Sequence, residues 1–184
     1  RAFNRVYDLK MTTRGEMEYA YQGELVTPSR CGRMDQGCAF GQRPMLMTFD
    51  GEILHVDDIP VKQPLHFFVV DLRASKDTME ILAKLNHCYP FAQNPLEKKV
   101  QKYLGEINKQ IVFQAMAAIR EGDARRIGEL MCEAQQLFDE HLMPACPSQL
   151  TAPVLHKVLG YAPIQHLIHG GKGVGSQGDG TAQF

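Results

Sequence analysis

The chain has 184 residues, 44% of them hydrophobic, with 20 Lys and Arg set against 21 Asp and Glu. That length suits one domain or one domain and part of another, and the apolar fraction excludes bulk disorder. A formal net charge of −1 excludes a strongly basic nucleic-acid binder and an acidic tail protein, and no apolar run approaches the length of a membrane span. Five Cys, an odd count with no C-x-x-C pair, argue against a disulfide framework and a structural zinc site, and favour a reducing cytoplasm.

Ala2, Phe3, Val6, Tyr7 and Leu9 have helical spacing, so a first helix is expected over residues 1–10. Thr13 and Glu16 stand at capping-box spacing and predict a second helix over residues 14–22. Residues 45–49 read as a strand, Asp50-Gly51 as a two-residue hairpin turn, and residues 52–56 as the return strand. Leu65-His66-Phe67-Phe68-Val69-Val70 has the aromatic and β-branched character of a buried strand. Asp77 and Glu80 again have capping-box spacing and open a helix running to Asn86.

The strongest periodicity follows. Leu96, Val100, Tyr103, Leu104, Ile107, Ile111, Val112, Ala115, Met116 and Ile119 form one apolar stripe. Glu121-Gly122-Asp123 stops that helix with Gly and starts another with Asp, whose stripe is Ile127, Leu130, Met131, Ala134, Leu137, Phe138 and Leu142. So short a connection makes the two helices antiparallel. Their stripes are expected to cover a sheet containing residues 65–70 and the strand beside Gly178. Residues 152–159 form a further short helix, and residues 180–184 are strand-like. Helices, hairpin, strand, helices and a glycine-rich end make the class α+β.

Two segments could carry chemistry. The first is Gly170-Gly171-Lys172-Gly173-Val174-Gly175-Ser176-Gln177-Gly178-Asp179-Gly180, whose glycines let backbone N–H groups converge on an anion. Gly173, Gly175 and Gly178 satisfy G-x-G-x-x-G, yet a dinucleotide fingerprint must open a βαβ unit, and only six residues remain after Gly178. A Walker A loop fails because Gly171-Lys172 is followed by Gly173 and not by Ser or Thr. From composition alone the segment also reads as a flexible linker. The second segment is Pro28-Ser29-Arg30-Cys31-Gly32-Arg33-Met34-Asp35-Gln36-Gly37. An ionised Asp35 among arginines could accept a substrate proton, and the same segment also reads as a turn in which Asp35 caps a following helix. His166 and His169 have a spacing that could suit a metal but lack a third ligand, so no metal site is expected. Residues 73–78 could meet a phosphate or sugar at a helix N-terminus, or form only a cap and a solvated turn.

Together these segments resemble the galactokinase, homoserine kinase, mevalonate kinase and phosphomevalonate kinase superfamily, the GHMP kinases. Gly32-Arg33-Met34-Asp35-Gln36 is similar to the Gly-x-Met-Asp-Gln motif of its sugar-kinase members, and residues 172–180 to its third, Lys-led glycine-rich motif. The resemblance implies an ATP-dependent kinase phosphorylating a hydroxyl of a sugar or sugar derivative, with Mg2+ as the companion ion. Asp35 would be the catalytic carboxylate, Gly32 and Arg33 would meet substrate, and Gly173, Gly175, Ser176, Gln177 and Gly178 would brace the nucleotide phosphates. It implies the end of a ribosomal-S5-like N-terminal domain over residues 1–60 and a ferredoxin-like α/β sandwich C-terminal domain over residues 61–184. The departures matter. Gln177 and Asp179 replace glycines of the third motif, and Val174 replaces its Thr. The Ser-rich ATP loop and the carboxylate for magnesium are not among the 184 residues. The chain is therefore expected to be a piece of a longer kinase, inactive alone; the alternative is a kinase-like sugar or nucleotide sensor.

Overall fold

Two units, Arg1–Ile59 and Pro60–Phe184, make up the chain in a computed structural model that describes residues 1–28, 32–51 and 53–184. In the first unit the opening helix is shorter than its apolar spacing suggests: α1 is Ala2–Val6 and buries nothing. Asp8 and Lys10 take left-handed backbone at φ 49 and 56, which no helix continues through. Asn4 then clips the chain back, its side chain pairing with both the N–H and the C=O of Met11 at 3.0 Å. Helix α2, Thr13–Leu25, is capped one residue earlier than expected, by Thr12, whose hydroxyl accepts the Gly15 N–H. It buries Met17 completely.

Strands β1 (Met45–Asp50) and β2 (Ile53–Asp58) form the expected antiparallel hairpin, with Asp50 opposite Ile53. The turn therefore begins at Gly51, one position later than the Asp-Gly reading, and Gly51 supplies the positive φ of 57.

The second unit holds a three-stranded antiparallel sheet, ordered β3 (Val69–Asp71), β5 (Thr181–Gln183), β4 (Lys172–Gly173). Residues 65–70 are a strand only in part: Phe68 exchanges both backbone bonds with Phe184 at 2.9 Å, and the ladder starts there. The strand is not buried. Phe67, Phe68 and Val69 are each more than half exposed, because β3 is an edge strand and the helices do not cover it. β-branched and aromatic composition reports fitness for a pleated surface and not whether a layer lies over it.

Asp77 caps α3 (Thr78–His87) by accepting the Glu80 N–H at 3.0 Å. The Glu80 carboxylate does not return to the cap. It takes the Ser148 hydroxyl at 2.7 Å and the Gln149 amide at 3.1 Å, and Gln149 Oε1 accepts the Asp77 N–H instead. The long stripe is one helical run in three parts: α4 (Pro95–Lys102), a π-turn over Tyr103–Ile107, and α5 (Asn108–Glu121). Asn94 caps its start, and the buried Glu97 carboxylate receives the Gln93 N–H and the Asn94 amide. Gly122, left-handed at φ 72, ends it, and Asp123 caps α6 (Ala124–His141).

The two long helices are antiparallel, as the short connection requires. Gln114 meets Arg126 near the connection, Tyr103 meets Ala134 and Phe138 further along, and Lys99 meets His141 at the far end. Tyr103 donates its hydroxyl to the Ala134 carbonyl, and burial pushes its phenol up to about 12.

The stripes do not cover one sheet. Val100, Tyr103, Phe138 and Leu142 pack with Ile81 and Leu85 of α3, and with Leu150 of α7 (Pro147–Leu150). Ala118, Ile127, Leu130 and Met131 form a second cluster that reaches Leu65. Ala182 of β5 and Leu72 lie instead against Leu155 of α8 (Pro153–Leu159), in a third cluster. Among the described residues no helix is long and apolar enough to cross a membrane.

Candidate functional site

The glycine-rich segment is a hairpin loop and not a linker. β4 and β5 pair Lys172 with Gln183 and Gly173 with Ala182, and the Val174 N–H donates to the Thr181 carbonyl at 3.1 Å. The Gln177 N–H then closes a turn onto the Val174 carbonyl. Gly175, Gln177 and Gly178 all have φ between 62 and 67. Gln177 thus holds, at a cost of about 1 kcal/mol, a conformation that glycine adopts freely. Its side chain is turned inward and only 4% exposed, with Oε1 lacking a partner.

Close packing explains several of the other glycines. A Cβ on Gly170 would run into the Gly128 carbonyl of α6, and one on Gly128 into the His169 backbone. A Cβ on Gly173 would lie 2.6 Å from Gln177 Oε1 and 2.9 Å from Leu155.

Three helices hold the loop. Buried Gln135 of α6 accepts the Gly173 N–H at 2.8 Å. Ser176 Oγ lies 3.5 Å from the Thr78 hydroxyl at the start of α3. Asp179 Oδ1 accepts the Leu155 N–H in the first turn of α8 at 2.8 Å. No side chain of the local Ala152 cap serves α8, so Asp179 acts as its cap from 24 residues away. The acidic departure in this loop is thereby answered: the carboxylate is bound to a helix N-terminus. Among the described residues, the N–H groups of Gly175 and Ser176 donate to no backbone carbonyl. Lys172 gives its ammonium to the Gly173 carbonyl at 2.7 Å, and burial pushes its pKa down.

In the first unit, Ser29, Arg30 and Cys31 lie outside the described residues. Asp35 is the first residue of a 3-10 helix, Asp35–Phe40, whose cap position is Met34, so Asp35 is not its cap. It is exposed. Its neighbours are tied down. Arg33 grips Glu18 of α2 through two nitrogens at 3.1 and 3.4 Å and lies over the Tyr21 ring at 4.0 Å. The Arg33 hydrogen bond, with help from Gln22, holds the Glu18 carboxyl below its ordinary value. Gln36, with its amide nitrogen inward, donates to the Gly32 carbonyl at 2.9 Å and the Arg33 carbonyl at 3.3 Å. Gly37 is buried, leaving room for Met47 of β1.

Among the described residues no group of three His, Cys, Asp or Glu could hold a metal ion, and His166 with His169 is no exception. Arg73 donates its N–H to Asp71 in a local turn at φ 50. The sequence reading missed Gln135, Asp139 and His156, which form the bed of the loop. Only the i, i+4 spacing of Gln135 and Asp139 hinted at a shared helix face.

No protein-family model matches the sequence, and no curated protein sequence matches it. Among solved structures, the fold is similar to that of L. major mevalonate kinase in complex with R-mevalonate, at a TM-score of 0.69 and 21% identity. The likeness covers 100% of this chain and 52% of that one, so the chain spans about half the length of the structure it matches. At that identity the likeness is one of fold, and it runs along the whole of this chain.

Proposed function

We propose that the chain belongs to an ATP-dependent kinase that phosphorylates a hydroxyl of a small molecule, most simply a sugar or sugar derivative. The observation that carries this is the shared fold with a mevalonate kinase along the chain's entire length. Residues 1–60 would then be the end of the ribosomal-S5-like domain and residues 61–184 a ferredoxin-like domain.

Phosphoryl transfer asks the protein for in-line positioning, charge neutralisation and an oriented hydroxyl. An exposed carboxylate on a braced loop suits the last of these. Asp35 would take the acceptor proton, Gly32 would present its backbone to the acceptor, and Arg33 would act by fixing the loop through Glu18. The donor set of the glycine-rich loop fits phosphate oxygens: among the described residues the N–H groups of Gly175 and Ser176 meet no backbone carbonyl, and the Asp179 carboxylate is held at α8. Gly173, Gln177 and Gly178 would shape the loop rather than donate. Mg2+ bound with ATP would neutralise phosphate charge; its carboxylate partner and the Ser-rich loop are assigned by the resemblance to sequence outside these 184 residues. The protein would work in a reducing cytoplasm, where Cys38, Cys88, Cys132 and Cys146 stay as thiols.

The alternative is a kinase-like sensor, favoured by one feature: Gln177 and Asp179 use motif positions for packing and capping. The test is acceptor-dependent release of ADP by the native polypeptide that carries these residues, across a panel of sugars and R-mevalonate. Turnover by the native polypeptide and none by residues 1–184 alone is the expected result. ATP binding without turnover would establish the sensor. Neither binding nor turnover would overturn both readings.

A further inference from the structure

We infer that a chain of side-chain hydrogen bonds running from His156 through Asp139 and Gln135 to the Gly173 N–H positions the glycine-rich loop and makes its seat pH-dependent. The links are short and continuous. His156 Nε2 lies 2.8 Å from Asp139 Oδ2, the Gln135 amide donates to Asp139 Oδ1 at 2.9 Å, and Gln135 Oε1 accepts the Gly173 N–H at 2.8 Å. Gln135 is buried, so neither end of its amide can trade a lost partner for water at no cost.

The other end of the His156 ring completes the argument. Nδ1 lies 2.8 Å from the Ala152 carbonyl, and a carbonyl can only accept. Both ring nitrogens therefore face acceptors, and both distances are satisfied at once only by the imidazolium, which donates from each. Neutral imidazole carries one N–H and must turn a lone pair toward either the Ala152 carbonyl or Asp139. Losing the Asp139 contact frees the carboxylate that orients Gln135. Losing the Ala152 contact loosens the first turn of α8, whose Leu155 N–H holds Asp179. Both ends of the loop, Gly173 and Asp179, are thus anchored to the helix pair that His156 joins.

Among the described residues, α6 presents Asp139, the loop presents Asp179 already bound to Leu155, β4 carries Lys172 with its ammonium on the Gly173 carbonyl, β5 has no ionisable side chain, and α8 itself adds Lys157. Burial pulls the His156 pKa down, but the bonds to Asp139 and the Ala152 carbonyl outweigh it, and the net shift is upward from 6.5. A raised value means that the clamp contributes fully below the ordinary histidine value. It is lost as pH rises through the higher folded value. The inference rests on this geometry alone and stands whether or not the loop binds phosphate.

The experiment is a pH titration of the 15N-labelled chain by NMR, following the His156 ring and the Gly173 amide together. In the wild type the two should share one midpoint, above the ordinary histidine value. Gln135→Met should leave the His156 midpoint in place and abolish the Gly173 response. Asp139→Asn should lower the His156 midpoint and abolish the response as well. A Gly173 amide that does not titrate, or that titrates apart from His156, would overturn the inference. So would a His156 midpoint at or below the ordinary value. The wild-type comparison decides the matter even if neither variant folds.

Discussion

The glycine-rich loop of the second unit and the acidic loop of the first are secured in opposite ways. The glycine-rich loop is held by side chains from α6 and α8, by contact with α3, and by glycines whose missing Cβ atoms admit a neighbour. The acidic loop is held by its flanks. Arg33 and Gln36 are engaged, while Asp35 between them is exposed. A loop that presents backbone N–H groups must be rigid before its ligand arrives, because its donors are its own main chain. A carboxylate that takes a proton needs a rigid base and a free head. Substitutions in the two regions should therefore separate stability from activity.

The largest effect is expected at Asp35. Asp35→Asn keeps shape and an acceptor but loses basicity, so kcat of the native polypeptide should fall by about 10²- to 10⁴-fold. Stability should stay within about 0.5 kcal/mol, because the residue is not the cap of its helix and is exposed. Steady-state kinetics beside a thermal melt read both, and full activity would remove Asp35 from the chemistry.

Gly170→Ala and Gly128→Ala should do the reverse. Each added methyl meets backbone on the opposite segment, an overpacking that costs about 3 kcal/mol. Gly32→Ala, where nothing lies within 4 Å, should leave the denaturation midpoint almost unmoved. Equal stability for all three variants would mean that the second unit tolerates the insertion by shifting α6.

A smaller loss is expected from Asp179→Ala, about 1 kcal/mol for a missing helix cap, with Asp179→Asn recovering most of it. If the Asn variant were as unstable as Ala, charge and not capping would be what Asp179 contributes.

The smallest effect belongs to the Arg33–Glu18 grip. The Glu18 value lies below 4.5 because of Arg33, so its contribution is present above that value and lost as pH falls through the lower folded one. The pair is partly exposed, so Glu18→Gln should remove under about 1 kcal/mol of acid-dependent stability, visible in melts followed from neutral pH into acid. A wild type and variant with parallel pH profiles would show that the grip is held by the Tyr21 contact instead.

Much of the local structure was legible because its causes are local. Asp77 and Asp123 cap helices because a short acceptor side chain precedes three unsatisfied N–H groups, and that pattern lies within four residues. The hairpin over β1 and β2 and the antiparallel long helices follow from a turn signal and from two apolar stripes joined by Gly122-Asp123. Where two neighbours could serve equally, as with Thr12 and Thr13, spacing alone chose the wrong one.

By itself, then, the sequence determined the class α+β, the helix pair and the hairpin, since periodicity, caps and turn residues act over a few positions. Only the tertiary structure decided what surrounds them. Gln135 reaches Gly173 across 38 residues and Asp179 reaches Leu155 across 24, and no pattern in the chain marks either pairing. The edge position of β3 is of the same kind: burial depends on which layer lies over a strand, and that belongs to the assembled fold rather than to the strand's own residues.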